Sequence, residues 1–166
     1  MLPAFLRFLT VALLCLPPLV HAQAKVGDRF GDWSFECVAV AEGKTNCALA
    51  QAIVSKVDNR RIAQLSLGRN QWKKGVVLTA FLPFGIYLPS GVSGALDQGK
   101  PFPIVLETCL PSGCIATYVT TPDFLKALQG AKQLSIGFVA IEGMKPVSLN
   151  VPVAGLAEGL KAAKLE

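Results

Sequence analysis

Hydrophobic and polar positions alternate along most of this chain with the two-residue period of half-buried strands. In residues 32–40, Trp33, Phe35 and Cys37 alternate with Asp32, Ser34 and Glu36. In residues 61–67, Ala63, Leu65 and Leu67 form an apolar face opposite Ile62, Gln64 and Ser66. Residues 48–54 form another apolar run. Residues 76–82 form one of the kind found in strands covered on both faces. Residues 104–109 and 115–121 bracket a short turn, and 134–141 and 146–151 complete the series. Gly, Pro, Asn and Asp punctuate these segments. Short strands spaced this way predict an all-β domain, an antiparallel β-sandwich or barrel-like fold.

One or two short helices interrupt the pattern. Thr121-Pro122-Asp123 is a helix start, with Thr as cap, Pro at the first position and an acid in the first turn. Phe124, Leu125 and Leu128 form its apolar stripe, and Gly130 stops it. Residues 153–165 place Leu156, Leu160 and Ala163 at helical spacing, with Lys161 and Lys164 near the end. Gly155 and Gly159 oppose that helix. No repeat, linker or low-complexity tract divides the chain.

The first residues are of another kind. Arg7 is the only charge before Lys25, and an apolar run follows it from Phe8 to Leu16. Pro17-Pro18 and then Val20-His21-Ala22 follow, as in a secretory signal cut after Ala22, with a cut after Ala24 as the competing site. The run is shorter than the ~20 apolar residues that span a bilayer. Leu14 precedes Cys15 where a lipidation site wants a small residue, so Cys15 reads as part of the leader. The expected organisation is a signal peptide over 1–22 and a single domain over 23–166. The mature chain carries no transmembrane segment, and its expected location is the periplasm or the outside of a bacterial cell.

Export permits disulfides. Four cysteines remain after the leader, and four allow three pairings. The local pairings are favoured. Cys109 and Cys114 flank Leu110-Pro111-Ser112-Gly113, where Pro111 suits the second position of a turn and Gly113 the fourth. Cys37 and Cys47 flank a polar turn placed at Glu42-Gly43-Lys44-Thr45, though not symmetrically. Each short loop so closed adds roughly 2–3 kcal/mol.

Composition narrows the chemistry. Apolar residues make up 52% of the chain and charged ones 16%, which excludes a disordered protein. The net charge of +5 is scattered, whereas a nucleic-acid binder concentrates its cations, so no nucleic-acid partner is expected. The single histidine, His21, lies in the leader. A Ser-His-Asp triad is therefore closed to the mature chain. The cysteine spacings match neither paired zinc knuckles nor a CxxC redox motif. No catalytic residue, metal or cofactor is expected.

Three stretches together resemble a known family: Gly31-Asp32-Trp33 leading to Cys37, the segment Leu82-Pro83-Phe84-Gly85-Ile86-Tyr87-Leu88-Pro89-Ser90-Gly91, and Cys109-Leu-Pro-Ser-Gly-Cys114-Ile-Ala. The chain is similar over about residues 27–160 to the invasion-associated locus B proteins, exported bacterial proteins named after a member linked to entry into host red cells. Where that family often carries Gly-Phe near the C-terminus, this chain has Gly155-Leu156 or Gly159-Leu160. The resemblance implies a secreted or periplasmic role without a defined catalytic mechanism. The expected partner is an envelope or host-surface protein or glycan, or a membrane surface.

Two segments are candidates for contact. Arg69, Trp72, Lys73 and Lys74 place an indole among cations on a turn, a combination suited to sugar rings or acidic headgroups. The plainer reading is a solvated hairpin tip. In the 82–91 segment, Pro and Gly are expected to shape two tight bends while Phe84 and Tyr87 fill the core, against the alternative of an exposed apolar surface. Two rival functions stand beside contact. One is a glycan hydrolase using Glu107 and a second acid, which needs two carboxylates ~5–9.5 Å apart. The other is a structural or stress-related periplasmic protein without a ligand.

Overall fold

The computed structural model describes residues 23–40, 43–69 and 73–166. The leader with Cys15 and His21, the turn residue Glu42, and Trp72 lie outside the described residues.

Ten strands form: β1 (Arg29–Phe30), β2 (Trp33–Ala39), β3 (Thr45–Val54), β4 (Arg61–Arg69), β5 (Val76–Leu82), β6 (Val92–Leu96), β7 (Phe102–Leu110), β8 (Gly113–Val119), β9 (Gln133–Ala140) and β10 (Lys145–Pro152). Helix α1 (Pro122–Gly130) follows β8, and α2 (Leu156–Ala162) follows β10. The strand order is β1-β2-β3-β4-β5-β8-β7-β6-β9-β10, and every neighbouring pair is antiparallel. The first five strands form a meander. The β6-β7-β8 meander then lies beside β5 with β8 innermost, a Greek-key arrangement. Residues 83–91 make the crossover from β5 to β6, and α1 carries the chain from β8 to β9.

Strand β7 belongs to two layers. Phe102, Pro103 and Ile104 pair with β6, whereas Val105, Leu106 and Thr108 to Leu110 pair with β8. The layers enclose one hydrophobic cluster. Trp33, Leu49, Leu65, Leu67 and Leu78 enter it from one side and Leu134, Ile136 and Val151 from the other, all fully buried. Leu128 of α1 and Leu156 and Leu160 of α2 complete it. Truncating one such side chain costs about 2–5 kcal/mol.

The two ends of the chain close this core together. Trp33 Nε1 donates to the Pro152 carbonyl at 3.1 Å. Gly31, at φ +61°, passes so close to the 154–155 backbone that a Cβ there would lie 2.4 Å from the Ala154 oxygen. Gly155, at φ +83°, approaches Phe30 equally closely. Only glycine combines this φ with that approach. Helix α2 is therefore shorter than residues 153–165, because Gly155 takes a left-handed conformation and starts it. Helix α1 begins as expected, with the Thr121 hydroxyl accepting from the Phe124 amide at 3.1 Å.

Both local cysteine pairs are joined, Cys37–Cys47 and Cys109–Cys114, with Cα atoms 4.0 Å and 3.9 Å apart. Each pair is directly opposed in its ladder. Leu110 pairs with Gly113, leaving Pro111 and Ser112 as the turn. The first hairpin corrects the expected turn. Val40 N donates to Lys44 O at 2.8 Å and Thr45 already belongs to β3, so the ladder is symmetric about residue 42 and places Cys37 opposite Cys47.

Candidate functional site

The basic turn after β4 resolves into separate contacts. Arg69 Nη2 donates to the Lys164 carbonyl at 3.0 Å, tying the end of β4 to the C-terminal segment. Lys73 donates to Glu107 and, at 2.7 Å, to the Thr117 hydroxyl. Lys74 is exposed. Of the cations expected on one surface, two are thus directed at acceptors within the protein.

Glu107 reaches Lys73 because of a β-bulge. The β7–β8 register shifts between Leu106 and Thr108, leaving Glu107 without a ladder partner. Bulges re-aim side chains, and this one presents the carboxylate to Thr117, which donates to it, and to Lys73. The hydrogen bond from Lys73, and then that from Thr117, hold the Glu107 carboxyl below its ordinary range. Glu107 therefore faces a cation, in the geometry of an ion-paired carboxylate. Among the described residues no group of three or more His, Cys, Asp or Glu side chains gathers at metal-binding spacing. No described helix is long and apolar enough to cross a membrane.

The crossover holds the larger surprise. Phe84 is 59% exposed and Tyr87 36% exposed, so these aromatics do not fill the core; Ile86, 6% exposed, does. The reason is pairing rather than hydropathy. Ile86 bridges to Ala140, the Tyr87 amide donates to the Val139 carbonyl at 2.8 Å, and the Ile141 amide donates to the Gly85 carbonyl at 2.7 Å. The segment thus runs as an extra extended strip against the end of β9. That alternation turns Ile86 inward and Tyr87 outward. Phe84 lies at a bend before the paired strip and stands exposed there. Leu88 is exposed beside them, as are Ile141 and Met144 on the adjoining β9–β10 connection. The two segments pair through their backbones and each leaves aromatic or aliphatic side chains in water; this set of side chains is the platform. Exposed apolar groups brought near one another in this way are candidates for an interaction site.

The fold and its bridges define a class: an all-antiparallel two-layer β domain with each disulfide stapling a hairpin. Residues 33–164 match the family described as invasion associated locus B (IalB) protein, and the chain belongs to that family. An invasion protein B homolog of Brucella abortus (strain 2308) is 25% identical over 133 residues, covering 80% of this chain and 76% of that protein. Invasion protein B of Bartonella bacilliformis is 25% identical over 150 residues, covering 86% and 77%. The crystal structure of invasion associated protein B from Bartonella henselae superposes with a TM-score of 0.70 at 27% identity. It covers 84% of this chain and 95% of that one.

Proposed function

We propose that this protein is an exported component of the bacterial envelope that acts by contact and catalyses no reaction. Its leader over residues 1–22 is removed and residues 23–166 work as one domain in the periplasm or outside the cell. Two disulfides suit that oxidising compartment. The observation that carries the reading is the platform of Phe84, Tyr87, Leu88, Ile141 and Met144. Its side chains stay exposed on two segments that are ordered by backbone pairing between residues 85–87 and 139–141. The names of the relatives, invasion protein B and its homologs, support a partner on an envelope or host-cell surface.

The test is crosslinking of the purified mature domain to envelope fractions and to host-cell membranes. Wild type gives a discrete, saturable adduct, and the Phe84→Ser/Leu88→Ser/Ile141→Ser variant loses it while melting at the same temperature. An adduct that survives the triple change removes the platform from the mechanism. Saturable turnover of a glycan or any small substrate ends the contact reading itself.

A further inference from the structure

We propose that the outer face of β6, β9 and β10 binds a short stretch of uncharged glycan. The inference deepens the contact reading by naming a ligand class, and its surface lies beside the exposed apolar side chains, with Tyr87 at the junction.

Leu134, Ile136 and Phe138 of β9 are buried, so Ser135, Gly137 and Val139 lie on the opposite, outer face. The register sets neighbours beside them. Gly137 lies between Ser93 of β6 and Ser148 of β10. Ser135 lies between Ala95 and Asn150 in the next row. The missing side chain at 137 leaves room, a furrow, beside the Ser93 hydroxyl. A Cβ at that position would meet the Ser93 Oγ at 3.1 Å. The furrow continues past Ser90, Gly91, Val139 and Pro146, with Phe138 and Val147 also in its lining, as a trough of about 240 Å³.

The polar groups here are supplied but not used up. Among the described residues the Ser93 hydroxyl has no hydrogen-bond partner. The Asn150 Oδ1 accepts from the Ser135 hydroxyl at 2.8 Å, which turns the two amide donors of Asn150 away from that bond. Ser148 is exposed in the row of Gly137, and its hydroxyl also donates to the Asn150 Oδ1, at 3.5 Å. None of these side chains carries a charge, although the chain holds 16 Lys and Arg and 11 Asp and Glu. An anionic headgroup, an acidic peptide or a nucleic acid would need cations that this face lacks. An uncharged, hydroxyl-rich chain suits it, with the free Ser93 hydroxyl and the Asn150 amide donors as its polar contacts and Val139 and Pro146 as its apolar ones. Tyr87 adjoins the trough through its bond to Val139 and offers a partly exposed ring of the kind that packs on the apolar face of a sugar.

The test is an amide-shift titration of the oxidised mature domain. The probes are neutral oligosaccharides (gluco-, galacto- and N-acetylglucosamine tetramers), a uronic-acid tetramer and an extended peptide. A neutral probe produces saturable shifts confined to residues 91–95, 135–139 and 146–150. Gly137→Val, which fills the furrow, abolishes them, and Ser93→Ala and Tyr87→Ala each weaken binding about fivefold to tenfold. The two milder variants keep the proposal testable if Gly137→Val does not fold. Absence of shifts on these strands with every neutral probe overturns it, as does binding that persists in all three variants. Preference for the uronic-acid or peptide probe also overturns it. If wild type forms its envelope adduct but binds no sugar, only the glycan inference falls. If it does neither, the contact reading falls as well.

Discussion

The closure of the two chain ends and the β5–β6 crossover are built from the same kinds of residue and end in opposite states. Gly31-Asp32-Trp33 meets Pro152–Leu156, and its indole is 0% exposed. Leu82–Gly91 carries the same mixture of glycine and aromatic residues, yet displays Phe84 and Tyr87. The difference lies in what each backbone meets. Trp33 has a carbonyl waiting for its N–H, and Gly31 and Gly155 let two backbones touch. The crossover pairs through its main chain with one strand end, which orders the segment without covering it. Ordering and burial are separate events, and an aromatic motif needs both to become core.

Glycine replacements split the comparison most sharply. Gly31→Ala or Gly155→Ala should cost at least about 3 kcal/mol, since each sets a Cβ against backbone at a positive φ. Gly85→Ala, also at positive φ but with its new Cβ in ordinary contact with Ile141, should cost only about 1–2 kcal/mol. Urea denaturation reads both, and equal losses would dissolve the distinction. Next in size, Cys37→Ser/Cys47→Ser should lose about 3 kcal/mol and Cys109→Ser/Cys114→Ser about 2, following loop length. Peptide mapping of unreduced wild type should show only these two bridges. Phe84→Ser and Leu88→Ser should each move stability by no more than about 0.5 kcal/mol, because both side chains already face water. A large loss at either would mean the platform is core after all.

The smallest effect is at the bulge. Glu107→Gln should cost less than about 1 kcal/mol at neutral pH, as expected for a solvent-exposed ion pair. Its folded carboxyl titrates below its ordinary range. The stabilisation is therefore complete above the unfolded value and disappears as pH falls through the folded one. Wild type and Glu107→Gln should converge in acid; a gap that persists there would assign the cost to packing.

Much of the strand plan was legible because alternation is local. The 32–40, 61–67 and 134–141 patterns became β2, β4 and β9 with small changes at their ends. The disulfides were legible because a short loop between cysteines leaves few geometries. Strand β6 was missed: Val92–Leu96 holds a serine, a glycine and an alanine, and its pairing comes from distant β7 and β9. The exposed crossover was misjudged because hydropathy favours burial without identifying which apolar residues stay outside. Trp72 falls outside the described residues, so its cationic turn is represented by Arg69, Lys73 and Lys74, of which the first two have internal partners. The trough was invisible for a different reason. Ser93, Gly137, Val139 and Pro146 share no local pattern, and only register brings their strands side by side.

The bond between Trp33 and Pro152 spans 119 residues of sequence. A core sealed by so remote a partner cannot be finished by an incomplete chain, and contacts of such separation form slowly. Until residues 152–155 have met 30–33 the core stays unlocked, and that stretch of backbone acts as the latch. Trimming the last helix should therefore leave a protein that never shuts, whereas cutting back the solvent-facing side chains of the crossover should leave one that shuts normally.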